Sequence, residues 1–257
     1  MCDLWRHTLE EPVPAGAIPE QIRSALSELP QARQLKLYNA GSFFDPKAIP
    51  PEDHAAIAAL ASAFDRVVVE SHPLLVGEAC FRFARLLGAN RLEVAMGLET
   101  VNPEALASLN KGMTTEDFRR AAGELVARGV AVRAFVLVGL PYLSPEESRD
   151  WCLRSVSFAF DSGAGAVSLI PTRAGNGALD ALAAFGDFER PTLSLLEACL
   201  SEGLGLARGR VFADLWNLEG LASCRTCFAG RSERLHRMNL SQAILAPTPC
   251  RSCGGPA

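Results

Sequence analysis

Four cysteines near the carboxyl terminus have the spacing of a metal site. They form two Cys-x-x-Cys pairs, Cys224 with Cys227 and Cys250 with Cys253. Two such turns bring four thiolates into tetrahedral reach, which is a ligand set of structural zinc. The pairs are slightly farther apart than in the usual zinc ribbon, and an iron–sulfur cluster or unligated redox thiols remain open alternatives. We expect zinc on all four cysteines, with His236 facing the surface or RNA.

Arginines are concentrated in the same segment. From Cys224 onward five arginines accompany a single acid, so this tail carries about +4 within a chain of net charge −4. Arginine clusters on small zinc modules often contact phosphate, which makes Arg231, Arg234 and Arg237 candidates for RNA binding. A solvated basic face without any ligand explains the same pattern, and both interpretations remain open.

The other cysteines follow a different pattern. Cys80, Cys152 and Cys199 each occur alone within an apolar helical pattern, where a free cysteine packs as a small hydrophobic residue. We therefore expect these three in the core, and Cys2 is left as a further candidate for metal chemistry. No export signal is apparent, so a disulfide framework is not expected and we predict a cytoplasmic protein.

Composition excludes several classes of protein. The chain has 257 residues, of which 49% are hydrophobic and 21% are charged. These values exclude a disordered, collagen-like or coiled-coil protein. The longest nearly continuous apolar stretch, residues 55–64, is far shorter than the ~20 residues of a membrane span, so we expect no membrane partner.

Short apolar runs alternate with helical patterns, as in parallel sheets that are covered by helices. The predicted strands are residues 34–40, 66–71, 91–99, 130–140, 166–172 and 210–216. A helix at 19–29 precedes them, so we expect the first strand of the fold to be missing from the chain as printed. The sequence predicts an α/β core over residues 1–206, as an open sheet or a barrel, and a small Cys- and Arg-rich module over 207–257.

Polar residues follow several of these strands, and the carboxyl ends of parallel strands carry the functional site in α/β folds. The first strand is followed by residues 41–43, the second and third end at Glu70 and Glu99, with Lys111 further on, and the fourth ends at Gly139. Ordinary βα turns use many of these residue types. Two acids at equivalent strand ends nevertheless indicate a polar ligand with hydroxyl groups and an amino-acid end.

Several short motifs in this order resemble the radical S-adenosylmethionine (SAM) superfamily. CDLWR at residues 2–6 looks like the end of its Cys-x3-Cys-x2-Cys cluster loop. GLET at 97–100, NKG at 110–112 and VGLP at 138–141 resemble elongator-type and methylthiotransferase-type members. GSF at 41–43 and the Cys- and Arg-rich tail are most similar to the branch of the archaeosine-forming lyase that acts on tRNA. The resemblance extends over residues 2–253.

This resemblance implies a partial (βα)6 barrel that binds a [4Fe–4S] cluster and SAM. In such enzymes three thiolates hold the cluster, and SAM is cleaved to a 5′-deoxyadenosyl radical that abstracts hydrogen from the substrate. Carried over by motif, Cys2 is the third cluster ligand, Glu70 and Glu99 reach the ribose hydroxyls, Lys111 pairs with the SAM carboxylate, and Gly139 lets the adenine approach the backbone. The residues that flank the SAM amino group are Gly41, Ser42 and Phe43.

The resemblance also implies partners. These are SAM, an electron donor such as a flavodoxin or ferredoxin, and tRNA as the candidate substrate; no catalytic residue is identified. Since Cys2 is the one cluster ligand in the printed chain, we expect an upstream strand and two further cysteines in the gene. Two alternatives remain: a degenerate, non-catalytic barrel that serves as a scaffold with a zinc tail, or a radical SAM enzyme acting on a small molecule or peptide.

Overall fold

The structure is a computed structural model that describes residues 9–39, 41–88, 90–173 and 177–254. Within these residues the strands are β1 (Gln34–Leu37), β2 (Arg66–Glu70), β3 (Leu92–Glu99), β4 (Ala131–Val138), β5 (Ala166–Pro171) and β6 (Arg210–Ala213). The helices are α1 (Ala17–Glu28), α2 (His54–Leu60), α3 (Glu78–Leu87), α4 (Pro103–Ser108), α5 (Thr115–Ala127), α6 (Pro145–Asp161), α7 (Ala178–Phe185), α8 (Leu193–Gly205) and α9 (Arg225–Ser241).

The six strands form one sheet in the order β1-β2-β3-β4-β5-β6. They are parallel and, with the helices between them, form a half-barrel. Gln34 lies opposite Arg66 in the first pair of strands, and Ala166 lies opposite Arg210 in the last. Strands that follow one another in sequence and in space are typical of a βα barrel. The predicted α/β partial barrel is confirmed.

Several strands end earlier than the sequence predicted. β1 ends at Leu37 instead of residue 40, β4 at Val138 instead of 140, and β6 at Ala213 instead of 216. For β4 the cause is Gly139, whose φ of 76° lies in the left-handed region and turns the chain out of the sheet. The residues that carry polar chemistry after these strands are therefore loop residues.

Local capping signals set the ends of the central helices. Thr114 and Ser144 each accept a hydrogen bond from the backbone N–H three residues on, at Asp117 and Glu147, whose carboxylates accept from the cap N–H in return. These reciprocal bonds are capping boxes. Gly129, with a φ of 72°, ends α5. These capping residues therefore fix both ends of α5 and the start of α6.

The described residues divide into two compact units. The amino-terminal unit comprises the residues up to Gly97 together with Met113–Arg133, and the carboxyl-terminal unit comprises Leu98–Gly112 together with the residues from Ala134 onward. The boundary predicted between residues 206 and 207 stays a prediction.

In the amino-terminal unit, the middle of β2 is buried on both faces, as a strand under helices must be: Val67, Val68 and Val69 have no exposed surface. Cys80 of α3 is also fully buried, and burial raises the pKa of its thiol to about 12. This cysteine is a core residue, as predicted.

In the carboxyl-terminal unit, α9 covers the edge of the sheet. The side-chain amide of Asn239 donates to the Ala213 carbonyl at 2.8 Å and accepts from the Ala213 N–H at 2.9 Å. Gln242 makes the same pair of bonds with Val211, at 3.0 and 2.8 Å. The two amides occupy the hydrogen-bonding groups that an edge strand otherwise leaves open.

The same unit buries Cys152 and Cys199, at 2% and 3% exposure, so the core placement predicted for them is confirmed. Among the described helices, none combines the length and the apolar character that a membrane crossing requires.

Candidate functional site

The four tail cysteines converge in the carboxyl-terminal unit. Their sulfur atoms all lie within 4.8 Å of one another. The Cys224 and Cys250 sulfurs are 3.9 Å apart, and the Cys227 and Cys253 sulfurs are 3.8 Å apart. The sulfurs of a tetrahedral site with metal–sulfur bonds of ~2.3 Å are about 3.8 Å apart. The arrangement therefore fits one metal ion held by four thiolates.

Backbone N–H groups prepare the first cysteine of each pair for metal binding. The N–H of Cys227 lowers the pKa of Cys224 to about 6, and the N–H of Cys253 lowers the pKa of Cys250 in the same way. Burial raises the pKa of Cys227 to about 12. A thiolate is the form that binds a metal, so the Cys-x-x-Cys turns stabilise the binding form at their first positions.

An arginine–glutamate cluster lies beside the cysteines. Arg231 of α9 donates from Nε to a Glu197 oxygen at 3.0 Å and from Nη2 to the Ser194 hydroxyl at 2.8 Å. Arg234 donates from Nε and Nη2 to the Leu245 carbonyl, at 3.0 and 2.7 Å, and is 8% exposed. Two of the three arginines predicted to contact RNA are thus engaged with protein groups, while Arg237 is exposed.

Glu99 and Lys111, which the sequence assigned to SAM, form an ion pair in the carboxyl-terminal unit. Glu99 ends β3 with a φ of 64°, a conformation that residues with a side chain rarely adopt. The Glu99 side chain is 14% exposed and the Lys111 side chain is 26% exposed. A strained residue with a partly accessible carboxylate beside an ammonium group is suited to a ligand with hydroxyls and a carboxylate.

Gly139 has a structural reason to be glycine. A Cβ atom at this position would lie 2.5 Å from the Pro191 side chain, and the φ of 76° also favours glycine. The packing of Pro191 fills the space over Gly139 that the sequence interpretation gave to adenine. The predicted adenine contact stays a prediction that the local packing does not favour.

In the amino-terminal unit, the loop after β1 is bonded to the end of β2. The Phe43 N–H donates to the Glu70 carbonyl at 2.8 Å, and the Ser42 hydroxyl accepts from the His72 N–H at 2.9 Å. These two hydrogen bonds place the backbone of the Gly-Ser-Phe turn beside the end of β2, and the predicted roles of the turn and of Glu70 stay predictions. A Cβ atom on Gly41 would lie 3.5 Å from the Cβ atom of Ala48, which is an ordinary van der Waals distance. Packing therefore does not require glycine at this position.

The Phe43 side chain points away from any ligand in this loop. It is 2% exposed, stacks on His54 with ring centroids 5.5 Å apart, and contacts Phe44 and Phe83. Only the backbone of Phe43 is therefore accessible for the predicted contact with SAM. Cys2, the predicted cluster ligand, lies outside the described residues.

Sequence reasoning missed the loop after β6. There Asp214 accepts from Nη2 of Arg173 at 2.7 Å, and the Arg173 guanidinium lies over the Trp216 ring, 4.9 Å from its centroid. Trp216 is 69% exposed. The strand-end rule that singled out Glu70 and Glu99 would have found Asp214 if it had been applied to the sixth strand.

The chain has relatives among known sequences, although no protein-family model matches it. An uncharacterized protein of Methanocaldococcus jannaschii is 22% identical over 270 residues, covering 95% of this chain and 72% of that protein. Archaeosine synthase subunit beta of Thermococcus kodakarensis is 32% identical over 139 residues, or 51% of this chain. That match spans only 43% of the relative's length.

Solved structures agree at the level of the fold. Elp3 of Methanocaldococcus infernus superimposes with a TM-score of 0.64 at 15% identity, covering 90% of this chain and 62% of that one. Methylornithine synthase superimposes with a TM-score of 0.60 at 16% identity, covering 86% and 60%. Both are radical SAM enzymes. The chain has the radical SAM fold. The resemblance read from the sequence is confirmed, including its similarity to archaeosine synthase subunit beta.

Proposed function

We propose that this chain is the barrel of a cytoplasmic radical SAM enzyme that modifies a base of tRNA. The observation that carries the proposal is the 32% identity to archaeosine synthase subunit beta over half of a chain with the radical SAM fold. The basic tail supports a nucleic-acid substrate, because arginines that contact phosphate supply much of the affinity for RNA.

SAM is the proposed ligand of the polar strand ends. In the carboxyl-terminal unit, Glu99 accepts hydrogen bonds from ribose hydroxyls and Lys111 donates to the SAM carboxylate. In the amino-terminal unit, Glu70 is the second ribose contact, and the turn at Gly41, Ser42 and Phe43 offers backbone groups to the SAM amino group. The partial exposure of Glu99 and Lys111 supports this assignment.

The [4Fe–4S] cluster is proposed from the fold and from Cys2. Among the described residues, the one group of three or more cysteines is the tail set, and Cys80, Cys152 and Cys199 are each buried in the core. When bound, the cluster supplies the electron that cleaves SAM, and a flavodoxin or ferredoxin is the proposed donor. The described side chains bind and orient SAM in this proposal.

Zinc is the proposed ion of the tail. Sulfur separations of 3.8 and 3.9 Å support a single tetrahedral ion, because the thiolates around a four-iron cluster are spread farther apart. Four cysteines leave no open coordination position, which is typical of a structural site.

Nucleoside analysis tests the substrate. In cells that lack this gene, mass spectrometry of digested tRNA should show the loss of one modified nucleoside, which returns when the gene is restored. An unchanged nucleoside profile would favour a small-molecule or peptide substrate, or the scaffold interpretation.

Calorimetry with SAM tests the ligand. Glu99→Gln removes the charged acceptor of two hydroxyl donors, and we expect roughly a 10-fold loss of SAM affinity, since hydrogen bonds to charged groups contribute about 1.5–3 kcal/mol. Glu104→Gln, an exposed acid on α4, is the matched control and should bind SAM like the parent. Equal affinity in both variants would contradict the assignment of Glu99.

Metal analysis tests the tail. The parent chain should contain one zinc ion, and Cys224→Ser and Cys250→Ser should each lose it, whereas Ser223→Ala beside the cysteines should retain it. Iron in place of zinc in the parent, or undiminished zinc in both cysteine variants, would overturn this site.

A further inference from the structure

Trp216, in the carboxyl-terminal unit, has an exposed side chain on a backbone that is held by hydrogen bonds. It follows β6 by three residues and is 69% exposed. Its N–H donates to Oδ1 of Asp214 at 3.1 Å, and its carbonyl accepts from Nη2 of Arg173 at 2.5 Å. The next residue, Asn217, has a φ of 49° and turns the chain away. The loop is held at both ends while the indole remains accessible.

Arg173 packs against one face of the Trp216 indole. Its guanidinium is 4.9 Å from the ring centroid, and its charge is compensated by Asp214 at 2.7 Å. A cation over one face of tryptophan is a favourable contact, and it leaves the opposite face for solvent or a ligand. Leaving so large an aromatic ring exposed forfeits apolar burial, so internal packing gives no reason for the position of Trp216.

The path of α9 places basic residues on the same side as Trp216. Gln242 is bonded to Val211 and Asn239 to Ala213, so α9 runs antiparallel to β6. The helix extends about 20 Å from Asn239 back to its first residue, Arg225. Because the two elements are antiparallel, this part of the helix runs toward the carboxyl end of β6. Its exposed arginines therefore lie toward or beyond the carboxyl end of β6, where Trp216 is displayed.

We propose that Trp216 is a stacking platform for an unpaired nucleobase of the RNA substrate. Aromatic side chains stack on splayed-out bases in single-stranded loops, and this contact tolerates any base. The exposed Arg225 and Arg237 of α9 provide positive charge for the phosphates on either side of such a base. The inference rests on the proposed RNA substrate and adds the residue that holds one base of it.

Trp216→Ala tests the platform in the full chain by measuring affinity for an unmodified tRNA transcript. We expect roughly a 10-fold loss of affinity, as stacking on an aromatic side chain contributes about 1–3 kcal/mol per base, with an unchanged melting temperature. Trp151→Ala is the matched control: Trp151 on α6 also has an arginine over its ring, Arg154 at 4.8 Å, but lies on a helix rather than after a strand. It should bind tRNA like the parent.

Fluorescence provides the second measurement. In Trp151→Phe, tRNA should still quench the emission of Trp216, and in Trp216→Phe most of this quenching should disappear. If tRNA binds Trp216→Ala as tightly as the parent, the platform is refuted while the RNA substrate stands. If the parent binds no tRNA at any salt concentration, both the platform and the RNA substrate are refuted.

Discussion

In each of the two units a glutamate lies between two arginines, but the two clusters connect different elements of the structure. In the amino-terminal unit, Glu93 accepts from Nε of Arg133 at 2.6 Å and lies 3.4 Å from Nη1 of Arg66, so the cluster joins side chains of β2, β3 and the start of β4. In the carboxyl-terminal unit, Glu197 of α8 holds two arginines of α9. The first cluster belongs to the sheet and the second anchors the tail.

Burial separates the two clusters. The Glu93 and Arg133 side chains are 1% and 5% exposed, whereas the Glu197 and Arg231 side chains are 15% and 13% exposed. Arg231 also donates to a serine hydroxyl, and its neighbour Arg234 donates to a backbone carbonyl. Because the first cluster is more deeply buried, we expect the free energy of unfolding to depend more strongly on Glu93 than on Glu197.

The largest expected effect is that of Glu93→Gln. The amide keeps the size of the side chain but removes the carboxylate that Arg133 contacts at 2.6 Å, and breaking a buried ion pair in this way costs about 3–5 kcal/mol. Urea unfolding of the full chain measures this loss in the free energy of unfolding.

Glu116→Gln is the control for this variant. Glu116 pairs with Arg119 on the surface of α5, with side chains 70% and 50% exposed, and exposed pairs contribute about 0–1 kcal/mol. If Glu93→Gln destabilised the chain no more than Glu116→Gln, the sheet would not depend on the buried cluster.

An intermediate effect is expected for Glu197→Gln. The arginines of α9 keep their hydroxyl and carbonyl partners, so the loss should be about 1–3 kcal/mol, the cost of hydrogen bonds to charged groups. Glu202→Gln on the same helix, whose side chain is 28% exposed and pairs with Arg149, should cost less than about 1 kcal/mol. A loss for Glu197→Gln as large as that for Glu93→Gln would erase the difference between the clusters.

The fold was largely predictable from local signals. Apolar runs such as the one around Val67–Val69 have few alternatives to a buried strand, and caps such as Thr114 and Ser144 set helix ends through their own hydrogen bonds. The ends of the strands were less predictable. The apolar sequence continues past Val138, but the backbone leaves the extended conformation at Gly139.

The candidate site was only partly predictable. The convergence of the four tail cysteines follows from two short spacings, so the sequence contains it. The roles of Arg231 and Arg234 could not be predicted in this way, because a count of charges does not reveal that Glu197 of α8 lies beside them. The contact of Pro191 with Gly139 also joins residues far apart in sequence, and no motif indicates it.

The smallest expected effect is that of Arg237, an exposed arginine of α9, in contrast to the two arginines of the same helix that contact Glu197. Arg237→Ala should leave the free energy of unfolding unchanged, because Arg237 is exposed. If this arginine contacts an RNA phosphate, the affinity for tRNA should fall a few-fold whatever the RNA sequence. The slope of log affinity against log salt concentration should become shallower by about one, because one phosphate contact fewer means that fewer counterions are released on binding. Fluorescence anisotropy over a range of salt concentrations measures both quantities. Arg154→Ala on α6, where an exposed arginine pairs with Asp150, is the matched control and should leave the slope unchanged. An identical slope in the parent and Arg237→Ala would mean that this arginine belongs to a solvated basic face.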